Sequence, residues 1–201
     1  MMNVQSDGVM IITEPIRRLT RDLRLAATTL SSAEARYLVD AYYQMQENRI
    51  RADHQTRTLA NGGEPHETVS WFGANAHILE NNVKSALGAY SQGRPVGRWA
   101  ESIVGIGPII SAGLLAHIDI AKAPTVGHIW RFAGLDPSVK WEKGQKRPWN
   151  GALKRLCWII GESFVKVQGR AGDVYGKLYV LRKQLEEERN TAGVFQQQAA
   201  E

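Results

Sequence analysis

The sequence predicts an all-α protein, and three observations support this prediction. Apolar residues recur three or four positions apart in successive segments, which is the spacing of one face of a helix. Residues that start helices precede several of these segments, and glycines follow them. No segment alternates between polar and apolar residues as a half-buried strand does. The chain has 201 residues, 43% of them hydrophobic, so it is long enough to bury a substantial core.

The first predicted helices lie near the N-terminus. We expect residues 1–14 to be flexible and a first helix to run from Pro15 to about Leu25, because proline suits the first helical position. A stronger helix follows. Ser31 and Glu34 have the spacing of a capping box, in which each side chain bonds to the backbone N–H of the other residue.

The second and third helices are predicted to form an antiparallel pair. The second ends at about Ala60, where Asn-Gly-Gly-Glu-Pro interrupts the helical pattern, and the third covers about residues 69–90. Their short connection folds them back on one another, so residues 15–94 should form a helical hairpin or bundle. Its aromatic stripe is predicted to lie in the core or in a dimer seam, and we expect a homodimer through these helices. Arg36, Arg49, Arg51 and Arg57 are expected on a solvated face, paired with Glu47 and Asp53.

Residues 95–190 are predicted to form a second helical domain, followed by a flexible tail at 191–201. Gly134 should cap the helix before it, and the segment 138–150 should be irregular. The predicted helices of this domain cover about residues 96–104, 108–118, 126–133, 152–167 and 174–189.

The turn between the first two of these helices has the pattern of a helix-hairpin-helix motif. Gly105 and Gly107 flank the apolar Ile106, and Pro108 opens the next helix. Glycines let the main chain approach a ligand closely. The free N–H groups at a helix start attract an anion such as a DNA phosphate. The same pattern occurs in ordinary helix–helix turns, so both interpretations stay open at this point.

A second informative segment combines cations with tryptophans. Residues 140–155 contain six Lys or Arg and one Glu, whereas residues 1–60 contain eight basic and seven acidic residues. A local positive field is typical of a nucleic-acid footprint, and indole faces can stack on bases. The alternative is a solvated loop whose tryptophans pack back on the helices, and we expect at least one of them to do so. The predicted DNA contacts are Gly105, Ile106, Gly107, Lys140, Trp141, Lys143, Lys146, Arg147, Trp149, Asn150, Lys154 and Arg155.

Several classes of site are not indicated by the sequence. The P-loop and dinucleotide fingerprints are absent, and the histidines lack the spacing of metal ligands. Cys157 is the only cysteine, which excludes a disulfide framework, and its apolar neighbours predict a small buried side chain. We predict no metal and no cofactor. No apolar run is long enough to span a bilayer, so we expect no membrane contact and a cytoplasmic location.

Three motifs follow one another in a recognisable order. They are Val-Gly-Ile-Gly-Pro at 104–108, Gly-Leu-Leu-Ala-His-Ile at 113–118 and Phe-Ala-Gly-Leu-Asp-Pro at 132–137. In order and spacing they resemble the C-terminal domain of the IS110/IS116/IS902 transposases, and the resemblance covers roughly residues 95–165. It implies a helix-hairpin-helix domain that engages DNA.

Two departures limit what the resemblance implies. Members of the family begin with a ribonuclease-H-like catalytic domain, and this sequence has neither its α/β pattern nor the length for it. The family's Ser-Gly-rich segment, implicated in supplying a serine nucleophile, has no counterpart, and Ser138 is the nearest hydroxyl. We therefore expect a phage or mobile-element relative that binds duplex, junction or single-stranded DNA by structure, without cleaving it. Two alternatives are an active recombinase subunit that uses Ser138 and a helical module that binds another protein.

Overall fold

The structure, a computed structural model, describes residues 17–63 and 66–199. Over these residues it contains helices and turns but no strand, which confirms the all-α prediction. None of the described helices combines the length and apolar character needed to cross a membrane. The α-helices are α1 (Arg21–Ala26), α2 (Ser32–Ala60), α3 (Glu67–Gln92), α4 (Pro95–Glu101), α5 (Pro108–His117), α6 (Val126–Ala133), α7 (Gly151–Lys166), α8 (Tyr175–Thr191) and α9 (Gln196–Ala199).

The first described helix begins at Arg21. The predicted start at Pro15 and the predicted flexible segment 1–14 lie outside the described residues. The side chain of Thr20 caps α1, because its Oγ1 accepts a hydrogen bond from the backbone N–H of Leu23 at 3.3 Å. A local cap thus sets where the described helix starts.

Helices α2 and α3 form the predicted antiparallel pair. The predicted capping box is present at the start of α2. The N–H of Glu34 donates to Ser31 Oγ at 3.3 Å, and the N–H of Ser31 donates to Glu34 Oε2 at 2.8 Å. Further along, His77 Nε2 on α3 lies 2.9 Å from Asp53 Oδ1 on α2.

Two arginines of α2 join helices instead of lying on a solvated face. Arg49 pairs with Asp53 as predicted (Nη1–Oδ2 3.1 Å), but it also donates to the buried Glu80 on α3. Arg36 Nη1 donates to the carbonyl oxygen of Ala116 at the end of α5, at 2.6 Å. The solvated-face prediction was wrong for these two residues, because their partners come from helices distant in the sequence.

Helix α5 lies between two apolar cores. One side of α5 packs against α2 and α3, the other side packs against α4 and α7, and α6 packs against α7. The α2–α3 core contains Ala35, Val39, Tyr42, Leu87, Tyr90, Ile109, Ala112 and Ala116. The α7 core contains Ala100, Ile106, Ile110, Ala133, Leu153 and Leu156. Because α5 is buried on both sides, its two ends have defined positions relative to the neighbouring helices.

Helix α7 runs antiparallel to α5. At one end of the pair, Ser163 Oγ donates to the carbonyl oxygen of Gly105 at 2.6 Å. At the other end, Asn150 Nδ2 lies 3.4 Å from His117 Nδ1. Cys157, on α7, is partly buried against the α7 core, and burial raises the pKa of its thiol. It therefore has the apolar surroundings that the sequence predicts.

Candidate nucleic-acid interface

The hairpin turn, residues 102–107, joins α4 to α5. Gly105 has a φ of +102°, in the left-handed region that favours glycine. A Cβ on Gly105 would lie 2.7 Å from Cδ1 of Phe164, so the absence of a side chain lets the turn rest on α7. Ser163 holds the carbonyl of Gly105, and Ile106 is buried in the α7 core. The turn is thus supported from behind by α7.

Gly107 faces open space instead. It is the N-cap residue of α5, and a Cβ added there would meet no described atom within 4 Å. No side chain caps the helix, and Pro108 has no N–H. The backbone N–H groups of Ile109 and Ile110 have no partner within the helix, as in any first turn. Such groups, at the positive end of the helix dipole, attract an anion.

The N-terminus of α5 opens into a groove of about 490 Å³, which we name the α5 groove. Helices α3 and α7 supply three cations to its lining. Arg155 pairs with Glu47 (Nη2–Oε1 3.3 Å), and Lys166 pairs with Glu162 (Nζ–Oε2 3.4 Å). Lys84 forms no ion pair with any described residue. The groove therefore has an uncompensated positive charge beside the free N–H groups.

Two aromatic residues form part of the wall of the α5 groove. The guanidinium of Arg155 lies 5.6 Å from the ring centroid of Tyr43. Burial raises the pKa of Tyr43 to about 12, so its hydroxyl stays protonated and can donate a hydrogen bond. Trp158 lines the same groove and is 64% exposed. An indole that is exposed to this extent can stack on a ligand.

The irregular segment 138–150, which we name the basic loop, leads into α7 as predicted. Its cations are exposed, and so is Lys154 in the first turn of α7. None of these charged groups forms an ion pair with a residue in the described part of the chain. Their positive charge is therefore available to a partner. The five cations are Lys140, Lys143, Lys146, Arg147 and Lys154.

The two tryptophans of the basic loop have different surroundings. Trp149 packs inward, since a Cβ on Gly134 would lie 2.6 Å from its Cγ. This contact confirms that at least one indole packs back on the helices. Trp141 is 40% exposed and lies edge-on to Trp149, with ring centroids 6.4 Å apart. Arg147 and Lys154 lie over the rings of Trp141 and Trp149, at 5.2 and 4.5 Å from the centroids.

The structure places most of the predicted DNA contacts in two groups, but Ile106 is buried in the α7 core and belongs to neither. Gly105, Gly107 and Arg155 line the α5 groove. The basic loop lies at the opposite end of the α5–α7 pair, where Asn150 meets α5. Asn150 and Ser163 are 13 residues apart, which is about 20 Å along a helix. The hairpin turn and the start of α7 are therefore about 20 Å apart, whereas Arg155 of the α5 groove directly follows Lys154 in α7.

Ser138 takes part in a turn with Asp136. Its hydroxyl and its backbone N–H both donate to Asp136 Oδ1, at 2.6 and 2.9 Å. These two hydrogen bonds lower the pKa of Asp136 below its usual value. An ionised carboxylate of lowered pKa is a weak base for activating a hydroxyl. Among the described residues no three His, Cys, Asp or Glu side chains are arranged to hold a metal ion.

Sequence reasoning did not identify Lys84, Lys166, Tyr43 or Trp158 as candidate contacts. They belong to helices that are far from the hairpin turn in the sequence, and only the fold brings them to the α5 groove. For Lys84 alone, the sequence contains a local indication. Lys84 is the single Lys or Arg of α3, on a helix that is otherwise neutral, acidic or aromatic along its length.

The comparisons with known proteins bear on the same part of the chain. No significant match is found among curated proteins or solved structures. A family model does match, and its range includes the hairpin turn, α5, α6, the basic loop and the first turn of α7. Residues 98–155 match the model of the transposase IS116/IS110/IS902 family.

Proposed function

We propose that this chain is a non-catalytic DNA-binding protein of a phage or mobile element. It binds the phosphate backbone through the α5 groove and the basic loop, and it selects DNA by structure. The observation that carries this proposal is the group of five exposed, unpaired cations within the segment that matches the transposase family model. Unpaired cations release counterions from DNA without first breaking an internal ion pair.

The two groups of contacts suit phosphate recognition. At the α5 groove, the open Gly107 lets a phosphate reach the free N–H groups, and Lys84 supplies charge. At the basic loop, the lysines supply charge, and the exposed face area of Trp141 can stack on a base. Main-chain groups and lysines read the backbone and carry no sequence information. Selection by DNA shape, such as a junction, fork or single strand, follows from contacts of this kind.

The absence of strand cleavage is part of the proposal. The hydroxyl of Ser138 donates a hydrogen bond to Asp136 in a tight turn on the protein surface. The pKa of this carboxylate is lowered. We assign this pair a role in shaping the start of the basic loop. The test is Ser138→Ala, which keeps the hydrogen bond from the backbone N–H of residue 138 to Asp136 and should therefore leave DNA binding unchanged. Any strand cleavage or transfer by the wild-type protein that Ser138→Ala abolishes would overturn this assignment.

A gel-shift titration tests the binding itself. Single strands, duplex and a four-way junction are offered over a salt series to wild type and to Lys146→Glu with Arg147→Glu. We expect the double variant to bind more weakly and to reduce the slope of log affinity against log salt by about 2, close to 0.9 for each phosphate contact. Both substituted residues are exposed and form no ion pair with a described residue, so the fold should survive.

A matched control separates local contacts from net charge. Arg170→Glu with Lys177→Glu makes the same change in charge at two other exposed cations, which lie beyond α7 and form no ion pair with a described residue. The control should bind like wild type. Equal losses in the two double variants would mean that only overall charge matters. Absence of binding to all three DNA forms would overturn the proposal and favour a protein-binding role for the helices.

A further inference from the structure

A second cleft lies at the end of α5 remote from the hairpin turn. It has a volume of about 1040 Å³ and is formed by the start of α2, the end of α5, the segment 118–123 and helix α6, so we name it the α6 cleft. Its lining comprises Ser32, Arg36, Ala116, His117, Ile118, Asp119, Ile120, Lys122, Ala123, His128, Ile129, Phe132 and Asn150.

The lining of the α6 cleft combines apolar surface with hydrogen-bonding groups. Ile118, Ile129 and Phe132 supply apolar contact area, whereas His117 and Asn150 supply donors and acceptors. The volume exceeds what one planar heterocycle needs. A nucleobase has apolar faces and a polar edge, and pockets that bind one use stacking for the faces and hydrogen bonds for the edge.

The hydrogen bonds around Asn150 fix the polar wall. Asn150 Oδ1 accepts the N–H of Leu153 at 3.0 Å and caps α7, which leaves its Nδ2 to donate toward His117 Nδ1 at 3.4 Å. The backbone N–H of Asn150 donates to the carbonyl oxygen of Phe132 at 2.8 Å. With Nδ1 as the acceptor, the imidazole of His117 carries its proton on Nε2. Burial lowers the pKa of His117, which favours this neutral form.

The position of the cleft connects it to the basic loop. Asn150 is the last residue of the loop and also lines the cleft. Its backbone N–H donates a hydrogen bond to the carbonyl oxygen of Phe132, which lines the cleft as well. Lys122, at the rim, is strongly exposed and pairs only with the neighbouring Asp119 among the described residues (3.4 Å). A strand whose phosphates lie along the basic loop therefore has beside it a cleft large enough to receive a base.

We infer that the α6 cleft receives an unstacked base of a DNA strand bound along the basic loop, with Phe132 stacking on the base and His117 bonding to its edge. The inference rests on the proposed DNA binding and adds a site for the base to sites for the phosphates. It assigns Phe132 and His117 a direct role in binding single-stranded DNA.

Two octanucleotides with identical phosphates test the inference. One carries eight thymines and the other carries eight abasic sites, and their affinities are compared for wild type, Phe132→Ala and Trp130→Ala. Phe132 is 45% exposed and lines the cleft, whereas Trp130 is 56% exposed on the same helix and does not. Phe132→Ala should weaken binding of the thymine octamer by about 5- to 150-fold, which corresponds to the stacking of one base. Trp130→Ala should have no such effect.

The abasic octamer is the internal control for folding. Phe132→Ala should bind it as wild type does, which shows that the loss is confined to the base. His117→Ala should repeat the pattern with a smaller loss.

Wild-type affinity of Phe132→Ala for both octamers would overturn the base site and leave the proposed phosphate binding intact. If wild type binds neither octamer but still binds a duplex or junction, the inference fails while the proposed function stands. Absence of binding to any DNA would remove both.

Discussion

The two glycines of the hairpin turn have different roles, although they are two residues apart. Gly105 has a positive φ and lies against Phe164, so its lack of a side chain serves the fold. Gly107 has an ordinary φ of −95° and faces open space in front of α5, so the fold does not require a glycine there, and we propose that it leaves room for a ligand. Sequence alone predicted that both glycines matter, but it could not separate these roles. The contact with Phe164 depends on how α7 packs.

Alanine substitutions should separate the two roles. Gly105→Ala should lower the free energy of unfolding by about 1–3 kcal/mol, because alanine at positive φ is strained and its Cβ meets the ring of Phe164. Gly107→Ala should change stability by less than about 1 kcal/mol, yet weaken DNA binding by obstructing the approach of a phosphate. Urea unfolding and gel shifts measure the two effects. A stable Gly105→Ala protein, or a Gly107→Ala protein with full affinity, would contradict this division.

His117 should make stability depend on pH. Burial lowers the pKa of His117 below its ordinary value of 6.5, and the charge of Arg36 adds to the effect. Above pH 6.5 the imidazole is neutral in both folded and unfolded chains. Below it the unfolded chain takes up the proton first, so the free energy of unfolding falls until the pH reaches the folded pKa.

The contribution of His117 is measured by difference. Wild type and His117→Gln are unfolded in urea at pH 7.5 and pH 5.5, and wild type should lose more stability on acidification than the variant. The other titrating groups are common to both proteins and cancel in the comparison. Equal losses would mean that His117 has an unperturbed pKa in the folded chain.

At the level of elements, helix ends could be predicted from the sequence and helix partners could not. The capping box at Ser31 and the left-handed Gly134 after α6 involve only a few neighbouring residues, and both are present. Arg49, by contrast, bonds to Glu80 on another helix, 31 positions away in the sequence. Such a pair is visible only once the register of α2 and α3 is known.

The close approach of α3, α4 and α5 depends on small residues. A Cβ on Gly97 of α4 would lie 2.1 Å from the carbonyl oxygen of Ser91, which is a backbone atom and cannot rotate away. Ser91 and Ser111 are fully buried and share a hydrogen bond of 2.6 Å, and Ser111 Oγ also donates to the carbonyl oxygen of Gly97 at 3.2 Å. The small side chains therefore set the distance between the three helices that position the hairpin turn.

Two further alanine substitutions test this packing. Gly97→Ala should destabilise the protein by about 1–3 kcal/mol or more, because the new methyl forces the backbones apart. Gly161→Ala, at an exposed site on α7 with no atom within 4 Å, should stabilise it by about 0.5–1 kcal/mol through helix propensity. Thermal unfolding should show Tm shifts of opposite sign, about 2–4 °C for each kcal/mol. A neutral Gly97→Ala would mean that α4 can move away from α3 without cost.

For the whole molecule, the antiparallel arrangement of α5 and α7 sets the distance between the two proposed DNA-binding segments, the hairpin turn and the basic loop. The hairpin turn and the basic loop are predicted correctly as separate segments, but the sequence gives no indication that α7 places them at opposite ends of one helix pair. The relevant contacts, Ser163 with Gly105 and Asn150 with His117, join residues 58 and 33 positions apart. Together, these two contacts set a distance of about 20 Å between the hairpin turn and the end of the basic loop, which corresponds to roughly six base steps of 3.4 Å.

This separation leads to a prediction on the length of DNA required. Lys84→Glu reverses a charge at the α5 groove, and Lys146→Glu with Arg147→Glu reverses two charges at the basic loop. On a hairpin-capped stem of 12 base pairs both changes should weaken binding. Their effects should add to within about 0.5 kcal/mol, because the sites are far apart and share no partner. A stem of four base pairs is about 14 Å long, shorter than the roughly 20 Å between the hairpin turn and Asn150, so we expect it to bridge the two sites poorly. Combining the changes on it should cost much less than the sum of the two losses measured with the long stem. Losses of equal size and additivity on both stems would show that one short stretch of DNA reaches both sites, and would refute the two-ended arrangement.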